Sequence, residues 1–269
     1  MTPRQFRTKV LQYYRLHGRH ALPWRRTRDP YKILVSEVML QQTQVERVIP
    51  FYNAFLTTFP TVQDLAKAPL ADVLRAWQGL GYNRRAKMLH AAAKQAVEVW
   101  KGRFPKTAAA LKTLPGVGPY TACAVAAFAY NADGIFIETN IRTAVTHHFF
   151  ADKKNISDSD ILPVLEEAFP KGKSREWYAA LMDYGAHLKR SGVRINNKSK
   201  HYTKQSTFAG SAREVRGGIL RALSEKPCKK SVLVQQFGAE RALQVQEQLT
   251  KLEAEGFIVK RRADFFLAQ

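Results

Sequence analysis

Hydrophobic residues recur at helical spacing over most of the first 185 positions. In stretches such as 65–77 and 89–100, apolar side chains lie three and four residues apart, which is the period of a helix with one buried face. Short segments with proline or glycine separate these stretches, at 22–24, 59–60, 79–81, 104–105, 114–118 and 169–172. Because such connections are short, the pattern predicts a compact, almost all-α domain.

The pattern changes after residue 188. Residues 189–211 are polar and basic with no clear period, which predicts a linker or an ordered basic strap. The remainder predicts helices over about 212–224, 230–237 and 239–255, and then a β-hairpin at 257–260 and 265–268. Three helices followed by a hairpin resemble a winged helix. Such a module could add DNA contacts or serve in packing and protein docking, and its core pattern suits both.

The charge balance changes the list of possible partners. The chain has 43 Lys and Arg against 22 Asp and Glu, a net charge of +21, which attracts polyanions. Nucleic acid is the first partner class to consider, with an inert basic surface as the alternative. The two cysteines, Cys123 and Cys228, form no CxxC pair, so neither a disulfide framework nor a four-cysteine metal cluster is expected. The sequence shows no signal peptide and no membrane helix, and we expect a soluble protein of the cytoplasm or nucleoid that has no membrane partner.

A glycine-containing turn at 114–121, Leu-Pro-Gly-Val-Gly-Pro-Tyr-Thr, lies between two helical stretches. A helix that begins after such a turn presents free backbone N–H groups, and Gly116 and Gly118 would let a phosphate approach them closely. We therefore expect a DNA-backbone anchor here, against the alternative of an ordinary helix–loop turn.

A carboxylate lies in an apolar helix at 36–45, Ser-Glu-Val-Met-Leu-Gln-Gln-Thr-Gln-Val. Glu37 is followed by three apolar residues, 38–40, and burial among them would raise its pKa and make it a proton donor. The alternative is a surface or salt-bridged glutamate.

The turn and the stretch Phe136–Arg142 resemble the helix–hairpin–helix superfamily of DNA glycosylases, in which a catalytic carboxylate follows the hairpin at the start of the next helix. Glu138 stands at that position, where the superfamily normally has aspartate. The side chain here is longer by one methylene, and small shifts in catalytic geometry are costly to rate.

The 36–45 string, with Leu22–Arg25, resembles MutY-type adenine glycosylases. Further matching segments follow in order at 59–62, 65–68, 77–82, 84–86, 89–92 and 181–186. The resemblance implies a mainly α, two-lobed helix–hairpin–helix fold with a catalytic domain at 1–188. The basic strap at 189–211 and a winged-helix-like domain at 212–269 would follow.

The resemblance also implies roles for the site residues. Glu37 would protonate the departing adenine, Glu138 would stabilise the cationic sugar, and Tyr120 and Asn140 would order these groups. Tyr120 stands where β-lyase members have lysine, so base removal without strand cleavage is expected.

Other residues would contact DNA or the extruded base. Gln42 would wedge into the duplex and Tyr82 would insert beside the partner base. The remaining DNA contacts are expected from Arg25, Thr43, Leu80, Gly116 and Gly118. The base pocket would be lined or buttressed by Leu22, Trp24 and Asp183.

The chain departs from the MutY pattern in two places. The four iron–sulfur cysteines that follow the Leu-Met-Asp segment in that family are not present in 189–202, so no cluster and no metal are expected, although the hairpin admits a monovalent cation. A Nudix-like module is not visible after Ala212, which leaves the partner base open.

Three functions therefore stand. The first is removal of adenine mispaired with guanine or 8-oxoguanine. The second is a glycosylase of altered specificity, for thymine or uracil opposite guanine or for another purine lesion. The third is a non-catalytic protein that binds mismatches or abasic sites. In each case the expected partner is duplex DNA with a mispaired or damaged base, bound by a monomer.

Overall fold

The computed structural model describes residues 1–193, 195, 198–200, 207–208 and 210–269. Parts of the predicted basic strap, at 194, 196–197, 201–206 and 209, lie outside the described residues. The helices are α1 (Pro3–His17), α2 (Pro30–Leu40), α3 (Val45–Thr58), α4 (Val62–Lys67), α5 (Leu70–Ala76), α6 (Arg84–Trp100), α7 (Ala108–Leu111), α8 (Pro119–Tyr130), α9 (Thr139–Phe149), α10 (Asp158–Ala168), α11 (Ser174–Arg190), α12 (Ala212–Glu225), α13 (Lys230–Phe237) and α14 (Ala242–Ala254). Three strands form one sheet: β1 (Cys228–Lys229), β2 (Ile258–Arg261) and β3 (Asp264–Leu267). This mainly helical architecture confirms the predicted fold class.

The first compact unit is discontinuous in sequence. It consists of Met1–Gln41 and the described part of 103–204. In it, α2 packs against α8, and both α1 and α9 pack against α11. Alanines occupy much of α8 and are buried, which permits close approach of the neighbouring helix. Trp177, Tyr178 and Phe6 are among its largest fully buried side chains.

The second compact unit combines Gln42–Gly102 with the described part of 205–269. In it, α4 packs on α6, and α12 contacts α5. The side chains of Arg75 and Gln78 donate hydrogen bonds to the Ser224 carbonyl and hydroxyl at 3.1 and 2.7 Å. The two units describe which segments of the chain pack together. They do not test the domain boundaries at 188 and 211, which stay predictions.

The C-terminal sheet is antiparallel, with strand order β1-β3-β2. The predicted hairpin is present, but β2 begins and ends one residue later than the expected 257–260, and β3 begins and ends one residue earlier than the expected 265–268. The sequence analysis missed β1, because a two-residue strand is too short to show a period. The predicted helix at 239–255 begins as a 3-10 turn, Ala239–Arg241, before α14. The order helix, strand, helix, helix, strand, strand is that of a winged helix.

Among the described residues, no helix has the length and apolar character needed to cross a membrane.

Candidate active site

Glu37 lies on a helix that is buried on nearly every side. Asp29 caps the start of α2 by accepting a hydrogen bond from the Tyr31 N–H at 2.9 Å, and Pro30 occupies the first helical position. The residues from Tyr31 to Met39 other than Lys32 are buried, and Glu37 itself is only 5% exposed. A carboxyl group in this position has lost most of its hydration.

The carboxyl group of Glu37 accepts a hydrogen bond from the Tyr120 hydroxyl at 3.0 Å. Burial raises the pKa of Glu37 from 4.5 to about 7, and the negative charge of Glu138 adds to the rise. The Tyr120 bond and the positive charge of Arg25 oppose it. Glu37 is therefore poised to be protonated near neutral pH, as a general acid must be.

The glycine turn leads directly into the helix that carries Tyr120. Gly116 has φ +73°, a conformation that side chains rarely adopt, and Val117 closes the turn with a bond from its N–H to the Leu114 carbonyl at 3.1 Å. Gly118 caps α8 and Pro119 is its first residue. The predicted helix, turn and helix are thus present, with the N–H groups of the first turn of α8 at the end of the turn.

Glu138 caps the start of α9. Its Oε1 accepts bonds from the backbone N–H groups of Asn140 at 2.8 Å and Ile141 at 3.0 Å. Burial is the largest influence on this carboxyl group and raises its pKa, while those N–H bonds and the charge of Lys189 counteract the rise. The aligned N–H groups favour the charged carboxylate at this helix end.

Asn140 links Glu138 to a lysine that the sequence analysis did not assign to the site. The Asn140 amide Nδ2 donates to Glu138 Oε2 at 3.3 Å, and its Oδ1 accepts from Lys189 Nζ at 2.7 Å. Lys189 lies in the last turn of α11. In the sequence it is one of many basic residues around 189–200, so nothing marked it out.

Tyr178 holds the segment that precedes Glu138, and it too was missed. Its ring stacks on Phe136 with centroids 3.7 Å apart, and its hydroxyl donates to the Gly134 carbonyl at 2.7 Å. Phe136 in turn contacts the Tyr120 ring edge-on at 5.6 Å. The aromatic residues thus connect the segment before Glu138 to the residue bonded to Glu37.

Asp183 is a buried acceptor for two arginines. It accepts from the Arg19 backbone N–H and guanidinium at 2.6–2.8 Å, and more distantly from Arg25 at 3.4 Å. The Arg25 side chain is only 8% exposed and lies over the Phe128 ring at 5.6 Å. The structure therefore shows Arg25 in a buttressing position on Asp183, from which its charge lowers the pKa of Glu37, and its DNA contact stays a prediction. Leu22 and Trp24 are buried in the same unit.

Gly185 allows α11 to lie directly against the start of α9. A Cβ at Gly185 would overlap the backbone carbonyl of Asn140 and would lie 2.8 Å from the Asn140 Cβ. Gly185 is therefore needed for close packing against the site residue Asn140, because a larger side chain would not fit there.

The remaining predicted DNA contacts lie in the second unit. Gln42 is exposed and Tyr82 is 40% exposed, and both have positive φ, 56° and 49°. Such conformations are uncommon for these residue types and concentrate at functional sites. Arg85 organises this segment: it donates to Thr43 and to the buried Leu80's carbonyl at 3.3 Å, and lies over the Tyr82 ring at 5.4 Å.

Nothing among the described residues resembles a metal site made of His, Cys, Asp and Glu side chains. The site brings together Glu37, Tyr120, Glu138 and Asn140, as the sequence predicted, and adds Lys189 and Tyr178.

A comparison of the sequence with models of protein families identifies the superfamily to which the chain belongs. The model of the HhH-GPD superfamily of base excision DNA repair proteins matches residues 35–171, which include Glu37, the glycine turn and Glu138. The chain belongs to this superfamily.

Its curated relatives include three named adenine DNA glycosylases. The protein from Mycolicibacterium smegmatis is 38% identical over 81% of this chain and 80% of its own length. The Mycobacterium tuberculosis protein is 41% identical over 66% and 60%. The protein from Buchnera aphidicola of Baizongia pistaciae is 35% identical over 69% and 53%. The chain thus spans little more than half of some relatives, and these matches confirm the resemblance to the MutY type.

Two solved structures share the fold. A thermostable thymine-DNA glycosylase is 27% identical with a TM-score of 0.60, over 68% of this chain and 86% of the other. Endonuclease III trapped on DNA is 20% identical with a TM-score of 0.57, over 82% of this chain and 99% of the other, and this likeness concerns the fold alone.

Proposed function

We propose that this protein is a monofunctional DNA glycosylase that extrudes adenine mispaired with guanine or 8-oxoguanine and hydrolyses its N-glycosidic bond. The observation that carries the proposal is a pair of buried carboxyl groups, both with pKa values raised by burial, that differ in their hydrogen-bond partners. Glu37 is buried with its pKa raised to about 7, whereas Glu138 sits on two backbone N–H groups that favour its charged form.

These two groups divide the reaction between them. As the glycosidic bond breaks, its electron pair leaves with the base, and Glu37 supplies the proton that makes the purine a neutral leaving group. Glu138 carries the negative charge that stabilises the cation developing on the sugar. Water then adds to the sugar carbon and gives its proton to the ionised Glu37, which leaves an abasic site and restores the acid. Tyr120 provides no amine at its position, so the strand is expected to stay intact.

The relatives named adenine DNA glycosylases support adenine as the target. The wedge expected from Gln42 and Tyr82 is supported by their exposed, left-handed backbone positions. Extrusion costs a few kcal/mol and costs least at a mispair, which favours mismatched over paired adenine. We further propose that the enzyme works as a monomer on duplex DNA and without an iron–sulfur cluster, since the sequence holds only two cysteines.

A second candidate is removal of thymine or uracil opposite guanine. It is favoured by the structural match to a thymine-DNA glycosylase and by the glutamate at 138 in place of the usual aspartate. A longer side chain alters the distance between the carboxylate and the sugar, and it could accompany a changed base pocket.

The experiment that separates the candidates is single-turnover excision from labelled duplexes with adenine, thymine, uracil or hypoxanthine opposite guanine or 8-oxoguanine. Half of each sample is treated with alkali, which cleaves abasic sites, and half is not. Adenine release that needs alkali to appear as a strand break supports the proposal, and release of thymine or uracil alone supports the second candidate. Tight binding without release of any base would make the protein a recognition factor.

A further inference from the structure

Lys189 lies beside the site without belonging to the predicted catalytic set. Its ammonium donates to Asn140 Oδ1 at 2.7 Å, and the other end of the same amide donates to Glu138 Oε2 at 3.3 Å. Three polar side chains from α9, its cap and α11 thus form a chain that ends at a carboxylate. A lysine that serves only as a solvated surface charge would extend its ammonium into water, whereas Lys189 is only partly exposed.

The amide between the two charged groups has only one favourable orientation. An amide has a donor end and an acceptor end, so a carboxylate on one side and an ammonium on the other fix which end faces which neighbour. Removing the ammonium would remove half of that constraint. The Asn140 side chain could then turn away from Glu138 at little cost.

We propose that Lys189 is a positioning residue for Glu138: its ammonium holds Asn140 in the orientation in which the amide donates a hydrogen bond to the carboxylate. The proposal rests on the proposed base excision, in which Glu138 faces the cationic sugar. It gives a positioning role to the first basic residue of the segment that the sequence analysis treated only as a linker or an ordered basic strap.

The charges around Glu138 come from several elements. Lys189 on α11 and Arg142 on its own helix lower the pKa of Glu138 against the effect of burial, and Lys189 acts more strongly than Arg142. Glu138 in turn raises the pKa of Glu37 on α2 and of Tyr120 on α8. Burial lowers the pKa of Lys189, and the negative charge of Glu138 raises it again in part. Each of the two charged groups thus stabilises the charged form of the other.

The sign of the expected effect follows from these charges. Glu138 acts as a carboxylate, so excision slows as the pH falls through its pKa. Without the Lys189 charge that pKa rises, and the acidic limb of the pH–rate profile moves to higher pH. The alkaline limb follows deprotonation of Glu37, whose pKa is set by its own burial and by Tyr120, Arg25 and Glu138, so this limb should move much less.

The test compares Lys189→Met, Lys189→Gln and Lys189→Arg with the wild type, in single-turnover excision at saturating enzyme from about pH 5 to about pH 9. Lys189→Met should move the acidic limb upward by about half to one pH unit, a loss of about three- to tenfold on that limb. Lys189→Gln can still donate to Asn140 but lacks the charge, so the limb should move while the plateau rate is better preserved. Lys189→Arg should keep the limb near its wild-type position.

Arg190→Met is the matched control, because it removes an exposed positive charge from the same turn of α11. It should leave the acidic limb unchanged even if it weakens DNA binding. An acidic limb that stays in place in both Lys189→Met and Lys189→Gln would overturn the proposed role of Lys189. It would leave the proposed base excision standing, because the wild-type protein would still release the base. If Lys189→Met fails to fold, Lys189→Gln and Lys189→Arg still separate charge from packing. A wild type that releases no base would instead overturn the proposed function.

Discussion

The hydroxyl of Tyr120 donates a hydrogen bond to the carboxyl group of Glu37 at 3.0 Å, and this bond opposes the effect of burial on that group. A hydrogen bond to the charged form lowers a carboxyl pKa. The bond from Tyr120 therefore keeps the pKa of Glu37 near 7 instead of letting burial raise it further. The relationship gives a direct prediction for the pH dependence of excision.

Excision should slow as the pH rises above about 7, where Glu37 loses its proton. Tyr120→Phe removes the bond, so the pKa of Glu37 should rise and the alkaline limb should move to higher pH by about one unit. Single-turnover pH profiles of the two proteins on the same mispaired duplex measure the shift. Tyr130→Phe, at the far end of α8, is the control and should leave this limb in place. Movement of the limb to lower pH in Tyr120→Phe would contradict the assignment of Glu37 as the acid.

Glu37→Gln should abolish base release while leaving duplex binding within a few-fold, because the amide keeps the shape but has no acidic proton to give. Equal turnover in mutant and wild type would rule out the acid role. Binding is measured by fluorescence anisotropy on the mispaired duplex, and release by alkaline cleavage.

The same substitution should stabilise the protein at alkaline pH. The pKa of Glu37 is higher in the folded state, about 7, than the ordinary value of 4.5, so the folded protein binds the proton more tightly. Its contribution to stability is therefore present below about pH 4.5 and is lost as the pH rises to about 7. At pH about 8, Glu37→Gln should raise the free energy of unfolding by about 3 kcal/mol, and the gain should vanish at pH about 4. Urea unfolding at the two pH values measures this difference, and a gain that is equal at both would contradict it.

Gly185→Ala should disturb the site through α9. The added methyl group would overlap the Asn140 carbonyl, so either the helices separate or the start of α9 shifts, at a cost of about 2–3 kcal/mol. Excision should fall more than the reduced stability explains, because Asn140 bonds Glu138. Gly217→Ala, on α12, is the control, since a Cβ there meets nothing within 4 Å and should be neutral or stabilising. Thermal melts and excision rates below the melting temperature compare the two, and wild-type activity in Gly185→Ala would exclude this packing constraint.

The C-terminal hairpin offers a test of the winged-helix prediction. Lys260, Arg261 and Arg262 are exposed on β2 and the turn that follows it. If this module binds DNA, changing all three to glutamine should weaken duplex binding and reduce the salt slope of log Kd by about 0.9 for each phosphate that the hairpin no longer neutralises. A triple change of Lys67, Lys94 and Lys101 to glutamine, also exposed and in the same unit, is the control. An unchanged slope in the hairpin variant would favour protein docking for this module.

The elements that the sequence predicted are those with a repeated local pattern. The helices follow from apolar spacing and the glycine turn from a short motif, whereas the resemblance to the glycosylase superfamily placed the carboxylate at the start of the next helix. The structure shows all three. The apolar residues after Glu37 indicated that it could be buried, the resemblance of the 36–45 string gave it the acid role, and the structure buries it.

The missed residues depend on contacts between distant parts of the chain. Lys189 contacts Asn140 across 49 positions, and Tyr178 reaches Phe136 across 42. Neither contact leaves a local pattern, because a lysine in a basic stretch and a tyrosine in a helix look the same whatever they touch. Strand β1 was missed for a different reason: two residues are too few to alternate.

The bond between the Arg19 backbone and Asp183 joins positions 164 residues apart, and it ties the beginning of the first unit to its end. During synthesis, α1 and α2 therefore leave the ribosome long before α8 and α11 exist to cover them. The apolar surface of α2 therefore has no native partner helix until α8 has been synthesised. Because non-local contacts form slowly, we expect the first unit to be the slow step in folding and the nascent N-terminal segment to be a substrate for chaperones.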